Sequence, residues 1–190
     1  METRLLCFAS AYSSAAIAGL LFMLVMSGCA RTPTLPNRVS ADEYAVFSDF
    51  IQARFAKRPP VSLYLSSVTF IFDPLDRCGP SIKSGKVDRA LAVRLHALGE
   101  AQYPLRLEPP DPQLRIPWPF MVAGEFKAEP SSPYERVGFS RAAFSSERAT
   151  AYFAYSDSCG GLCGGGGAVL GQRSAGGVWK FEDSGCNWVY

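Results

Sequence analysis

The spacing of hydrophobic residues predicts an amphipathic helix near the start of the folded part of the chain. Apolar side chains recur there every three or four positions, which is the spacing of one helix face. An aromatic face of this kind is more typical of a hydrophobic core than of a ligand site. The residues of this face are Tyr44, Phe47, Phe50, Ile51 and Phe55.

The flanking residues indicate where this helix begins and ends. Ser40 is followed three residues later by Glu43, which is the spacing of a capping box. Val39 can pack against Tyr44 as a hydrophobic staple. The pair Pro59-Pro60 ends the pattern, because proline lacks the N–H group that a helix needs.

A long strand and a second helix are predicted next. Residues Val61–Phe72 alternate and are rich in β-formers, which favours a strand. A loop, Asp73–Pro80, follows it. We then expect a helix capped by Ser84 and ended by Gly99. Its apolar face consists of Val87, Leu91, Leu95 and Leu98.

The last third of the chain is rich in β-forming segments separated by turn residues. From Gly99 to Pro133 it holds eight prolines, which predict stiff loops packed on the domain. Short gaps between successive strands imply an antiparallel meander. The predicted strands are Phe120–Phe126, Glu135–Phe139, Thr150–Tyr155, Ala168–Leu170, Val178–Glu182 and Asn187–Tyr190.

These elements predict one α+β domain at residues 39–190, in which one or two N-terminal helices pack on an antiparallel β-meander sheet stapled by disulfides. The chain has 190 residues, of which 48% are hydrophobic and 19% charged, as in globular proteins. Its net charge of +2 is spread over interspersed residues. This balance does not indicate nucleic acid as a partner.

The first thirty residues are typical of an export signal. No charged residue occurs from Leu5 to Ala30, and small residues precede Cys29. The ending Met26-Ser-Gly-Cys29 resembles the lipobox of bacterial lipoproteins. The resemblance implies that residues 1–28 are a signal peptide and that Cys29 is lipidated. An uncleaved membrane anchor and a plain signal peptide are the alternatives, since 26 uncharged residues can span a bilayer.

The lipobox resemblance also implies a location. Ala30, rather than aspartate, follows the cysteine, which by analogy with lipoproteins of two-membrane bacteria favours the periplasmic face of the outer membrane. Residues 29–38 contain two prolines and several polar residues, and we expect a tether. The predicted partners are the membrane, through the lipid on Cys29, and an envelope protein.

A glycine-rich stretch with two cysteines, Ser158–Gly167, predicts a cross-linked turn between two strands. Six of its ten residues are glycine, which tolerates positive φ. If a function lies here, we expect recognition by an exposed, rigid turn with Asp157 and Leu162 at its tip.

Four cysteines follow the signal and Cys29: Cys78, Cys159, Cys163 and Cys186. In an exported protein an even set predicts disulfides, and three pairings are open. The pairing that we favour is Cys159–Cys163 with Cys78–Cys186. The competing interpretations are a redox site and a zinc site. Both are disfavoured, because no pair has a gap of two residues.

Other chemistry is sparse, and we predict no catalytic residue, metal or cofactor. His96 is the sole histidine and lies at the polar edge of the second predicted helix. Asp73 and Asp76 do not have the spacing of a calcium loop. The glycine run lacks the Lys-Ser/Thr of a phosphate-binding loop.

The C-terminal segments resemble a family of uncharacterised bacterial secreted proteins and lipoproteins with a Cys-Gly-Gly-Leu-Cys-Gly turn. The resemblance covers residues 136–190 and implies architecture rather than chemistry. It is carried by Arg136–Ser140, Ala151–Tyr155, Cys159–Gly164, Gly177–Phe181 and Trp188.

The sequence therefore favours a lipid-anchored envelope protein that acts as a non-catalytic binding or structural module. The alternative is an envelope enzyme or thiol-redox protein that uses Cys159 and Cys163.

Overall fold

The computed structural model describes residues 38–60, 62–100, 114–123, 135–158 and 163–189. Within these residues, six strands form one mixed sheet and are accompanied by four helices, which confirms the α+β class. The helices are α1 (Ala41–Phe55), α2 (Pro74–Arg77), α3 (Gly79–Lys83) and α4 (Arg89–Gly99). The strands are β1 (Leu63–Ser66), β2 (Phe120–Ala123), β3 (Glu135–Phe144), β4 (Thr150–Ser158), β5 (Gly164–Arg173) and β6 (Trp179–Val189). The predicted signal, Cys29 and most of the tether lie outside the described residues.

The prediction of a wholly antiparallel meander is wrong. The strand order is β2-β1-β3-β4-β5-β6, and β1 runs parallel to both β2 and β3. Strands β3 to β6 do form an antiparallel meander. Short connections join each strand to the next from β3 through β6, as an antiparallel meander requires. Long segments separate β1 from its two neighbours in the sheet, and they allow parallel pairing.

Several strand boundaries also differ from the prediction, and β3, β4 and β5 are each longer than predicted. The strand predicted at Val61–Phe72 is confined to Leu63–Ser66, and Phe72 is buried in the core outside the strands. The two strands predicted at the C-terminus are one strand, β6, with a register shift opposite Ala168/Val169. Gly185, at φ +80°, lets the backbone make this irregularity without breaking the strand.

The helix predicted to begin at Ser84 begins later. The N-cap of α4 is Asp88, whose Oδ1 accepts a hydrogen bond from the Ala90 N–H at 2.7 Å. Ser84 instead follows the last turn of α3. The predicted Asp73–Pro80 loop contains α2, because Asp73 caps that helix and Pro74 occupies its first turn.

Helices pack on both faces of the sheet and divide the core into two clusters. Along β4, Ala151 and Phe153 belong to the cluster with α1, while Tyr152 and Ala154 belong to the cluster with α4. We call these the α1 face and the α4 face. Because both faces are covered near the middle of β4, its residues there are apolar on both sides.

The aromatic face of α1 is buried as predicted. Phe47 stacks on Phe139 with ring centroids 4.4 Å apart. Phe50 meets Phe153 and Phe181 edge to face, each at 5.4 Å. Edge-to-face and offset-stacked pairs are the favoured arrangements of aromatic rings. These contacts fix α1 across β3, β4 and β6.

A buried ion pair fixes the first turn of α1 to β3. The capping box of Ser40 and Glu43 is present as predicted. Glu43 also accepts hydrogen bonds from Arg141 Nε at 2.7 Å, from Arg141 Nη2 at 2.9 Å and from the Ala142 N–H at 3.0 Å. The side chains of Glu43 and Arg141 are 2% and 1% exposed. A buried carboxylate is tolerated only when hydrogen bonds and an opposite charge compensate it, as here.

A β-bulge in β3 turns Arg141 towards Glu43. The register of β3 against β4 shifts between Phe139 and Ala142. The Ser140 hydroxyl accepts a hydrogen bond from the Ala154 N–H at 2.9 Å and donates one to the Arg141 carbonyl at 2.7 Å. The serine therefore satisfies a backbone group that the bulge removes from the ladder.

Replacing Glu43 with glutamine is predicted to lower the free energy of unfolding by about 3–5 kcal/mol, because it leaves the Arg141 charge buried and uncompensated. Urea unfolding of the full-length protein measures the change. The control is Asp42→Asn, which breaks the exposed Asp42–Arg148 pair and should cost less than about 1 kcal/mol. Equal effects of the two variants would contradict this account of α1.

Candidate functional site

Two clefts lie on opposite faces of one end of the sheet. The Trp188 cleft, on the α4 face, has a volume of about 440 Å³. The Arg54 cleft, on the α1 face, has a volume of about 400 Å³. Asp157 and Ser158, at the end of β4, line both clefts. The Trp188 cleft is defined by Phe70, Arg77, Arg136, Ser156, Ser158 and Trp188, and the Arg54 cleft by Arg54, Arg58, Glu135, Cys163, Gly164 and Gly165.

Glycines leave the space that the Trp188 cleft occupies. A Cβ atom on Gly138 would lie 3.1 Å from the Ser156 Oγ and 3.6 Å from the Phe70 ring. A Cβ atom on Gly166 would lie 2.6 Å from the Trp188 indole. The indole therefore packs directly on the backbone of β5, and the floor of the cleft carries no side chain at Gly138.

The predicted Cys78–Cys186 disulfide is present, and it holds two walls of the Trp188 cleft together. Its Cα atoms are 5.3 Å apart. Arg77 directly precedes one cysteine, and Trp188 lies two residues after the other. The Arg77 guanidinium consequently lies 6.0 Å from the centroid of the Trp188 ring, within cation–π range.

Phe72 and Trp188 form an aromatic surface in the Trp188 cleft. The rings of Phe72 and Trp188 stack with centroids 5.6 Å apart and an angle of 29° between their planes. Phe72 is buried, whereas the neighbouring Ile71 is 59% exposed at the cleft. The Phe70 N–H donates to the Phe139 carbonyl at 2.9 Å, which ties this segment to β3.

The two clefts differ in their charge. Asp157 is engaged on the α1 face, where its Oδ2 lies 2.6 Å and 3.2 Å from Nη2 and Nε of Arg54. The Asp157 side chain is only 19% exposed. The carboxylate charge next to the Trp188 cleft is therefore compensated from the other face. Arg77 and Arg136 add two guanidinium groups to the lining of that cleft.

The Arg54 cleft instead contains both signs of charge. Burial raises the pKa of Glu135 and the nearby Asp157 raises it further, whereas Arg58 and Arg54 lower it. The Arg54 guanidinium also lies 5.3 Å from the centroid of the Tyr155 ring. Acidic and basic groups in this cleft thus neutralise one another.

The structure places Asp157, one of the two predicted recognition residues, within a strand. Asp157 lies within β4 and pairs with Arg54, and Leu162 lies outside the described residues. The prediction that Gly164–Gly167 belongs to the turn is wrong, because these glycines pair with residues 155–158 as part of β5. Any turn between β4 and β5 is thus confined to residues 159–163.

The second pair of predicted disulfide cysteines lies beside the Arg54 cleft. Cys163 is disulfide-bonded and exposed at the cleft rim. Its predicted partner, Cys159, lies outside the described residues, so the Cys159–Cys163 pairing stays a prediction.

His96 is placed away from both clefts. Its Nδ1 lies 3.1 Å from the Asp73 Oδ1, and both side chains are 42% exposed. The pKa of Asp73 is lowered, since hydrogen bonds from the Leu75 and Asp76 N–H groups, together with His96, outweigh the opposing effect of burial. The Asp73 side chain therefore acts as a helix cap rather than as part of a site.

Sequence reasoning missed Arg77 and Arg136 as site residues. Arg77 could have been found through the disulfide, because the favoured Cys78–Cys186 bond brings its neighbours together. Gly138 was a further sign of the Trp188 cleft in the sequence, since glycine inside a strand often marks a close approach of another group.

The described part of the chain contains neither a metal-binding cluster nor a membrane-spanning helix. There, no group of three or more His, Cys, Asp or Glu side chains is arranged to hold a metal ion. No helix among these same residues has the length and hydrophobicity needed to cross a bilayer.

Comparison of the chain with protein-family models, with curated proteins and with solved structures gave no significant match. The resemblance to the secreted and lipoprotein family consequently stays a prediction.

Replacing Gly166 with alanine presses the new Cβ against both the Tyr155 carbonyl oxygen and the Trp188 indole. The substitution is predicted to push Trp188 away from β5 and to lower the free energy of unfolding by about 1–3 kcal/mol, as overpacking does. Urea unfolding followed by tryptophan fluorescence measures both effects. Gly176→Ala is the control, since its nearest neighbour is 3.9 Å from the new Cβ. A wild-type emission spectrum and stability for Gly166→Ala would contradict the packing described here.

Proposed function

We propose that this chain is a lipid-anchored envelope protein, held through Cys29 at the periplasmic face of the outer membrane. Its domain acts as a non-catalytic module that binds a partner or ligand. The observation that supports this most is the position of the two clefts relative to Arg38, where the predicted tether ends.

Arg38, the last residue of the predicted tether, lies at the opposite end of α1 from the clefts. The Arg141 Nη2 donates to the Arg38 carbonyl at 3.0 Å, beside the first turn of the helix. Arg54, in the last turn, reaches Asp157 between the clefts. The 15 residues of α1 span about 22 Å. A tether that joins the domain at Arg38 would therefore attach about one length of α1 from the clefts.

The groups in the clefts support binding rather than catalysis. Serine hydroxyls line the Trp188 cleft, but the described residues that line either cleft include no histidine to act as their general base. Arginine is too basic to serve as a proton acceptor at neutral pH. Binding by charge and shape is the chemistry that these groups supply.

One observation favours the alternative, a thiol-redox function. The disulfide-bonded Cys163 is exposed beside Arg54 and Arg58, and cationic neighbours lower the pKa of a cysteine thiol. Titration of the native protein with glutathione separates the two functions. A bond that resists mild glutathione supports the binding module, whereas a pair that is readily reduced and reoxidised supports redox work.

Replacing Cys29 with serine is predicted to release the domain from membranes, because the attachment site for the lipid is lost. Cell fractionation and immunodetection measure the distribution. Cys7→Ser is the matched control, since it changes a cysteine of the signal and should leave the protein in the membrane fraction. Membrane retention of Cys29→Ser would support an uncleaved anchor instead.

A further inference from the structure

We infer that the Trp188 cleft binds a small molecule or chain end that carries an anionic oxygen group, a carboxylate or phosphate, on a flat apolar body. This inference rests on the proposed binding function and names the class of ligand. It draws on the arginines, the serine hydroxyls and the exposed apolar wall that meet in one cleft.

The guanidinium and hydroxyl groups that line the cleft suit an oxyanion. Arg77 and Arg136 each carry a guanidinium group, which pairs with carboxylate or phosphate through two parallel hydrogen bonds. The hydroxyls of Ser156 and Ser158 add further donors. The third serine, Ser66, donates to the Val68 carbonyl at 2.8 Å and is left as an acceptor.

The apolar part of the cleft suits a flat ligand body. Trp188, Phe70 and the exposed Ile71 form a wall beside the arginines. Covering Ile71 removes apolar surface from water, which favours binding. The volume of about 440 Å³ lies within the range of roughly 300–1,000 Å³ that is usual for small-molecule sites.

The opposite cleft explains why the anion binds on the α4 face. Arg54 is already paired with Asp157, and Glu135 adds a further carboxyl group to the Arg54 cleft. An anion there would compete with two acidic side chains. In the Trp188 cleft, the Asp157 carboxylate is held by Arg54 and does not oppose the ligand.

The cleft is also fixed before a ligand arrives. The Cys78–Cys186 disulfide holds the Arg77 segment to β6, and Gly166 lets Trp188 lie on the sheet. Binding then requires little ordering of side chains, which conserves affinity.

Isothermal titration of the oxidised full-length protein with four probes tests the inference. The probes are phenyl phosphate, benzoate, phenol and inorganic phosphate. We expect phenyl phosphate or benzoate to bind at least about tenfold more tightly than phenol or inorganic phosphate, because both parts of the cleft are then filled. The tighter of the two names the oxyanion.

The arginines are tested with a matched pair of variants. Arg77→Gln and Arg136→Gln should each weaken binding of the preferred probe by about tenfold or more. Arg173→Gln is the control, because Arg173 also lies over a tryptophan, 5.8 Å from the Trp179 ring. Arg173 lies at the end of β5 that is far from Trp188. It should bind the probe as the wild type does.

A third variant fills the cleft without changing its charge. Gly138→Val places methyl groups where the ligand would lie, next to the Ser156 hydroxyl, and should abolish binding. Near-ultraviolet circular dichroism confirms that each variant is folded. Absence of binding by all four probes, or unchanged binding to folded Gly138→Val, would overturn the inference.

The outcomes also separate this inference from the proposed function. If phenyl phosphate binds and is hydrolysed to phenol, the non-catalytic function fails while the ligand class stands. If no probe binds but Cys29→Ser is released from membranes, the ligand class fails while the lipid-anchored module stands.

Discussion

The Cys78–Cys186 disulfide is the constraint on which the candidate site depends. It joins segments separated by 108 residues and holds the corner between α2 and α3 against β6. Helices of four and five residues have little stability of their own, because helix nucleation is costly. A crosslink over so long a loop stabilises the fold by about 4–5 kcal/mol on the chain-entropy model. It therefore keeps Arg77 over Trp188 where hydrophobic packing alone would hold it weakly.

The Glu43–Arg141 pair provides the corresponding constraint on the other face. It fixes the start of α1, the bulge in β3 and the Arg38 carbonyl at one point of the domain. Ion pairs of this kind stabilise a fold less than apolar packing does, but they favour one arrangement over others. Here the arrangement sets the Arg38 end of the domain opposite the clefts. Fold specificity and the orientation of the candidate site thus have the same physical origin.

Local patterns predicted the elements that local interactions determine. The buried face of α1 and its Ser40–Glu43 cap followed from spacing along the chain. The Cys78–Cys186 bond belongs to the favoured one of three pairings that the count of cysteines left open. The parallel pairing of β1 was not predictable in this way, because it depends on partners far away in sequence. The cleft was missed for the same reason, since Arg77, Gly138 and Trp188 meet only in the folded chain.

The central claim is that the disulfide-supported Trp188 cleft binds the ligand. The most direct test is the nuclear magnetic resonance signal of the three tryptophan indole N–H groups during titration of the oxidised protein with phenyl phosphate. The account predicts a saturable shift of the Trp188 signal, with those of Trp118 and Trp179 unchanged. A shift confined to Trp118 or Trp179, or no saturable shift at Trp188, would contradict it.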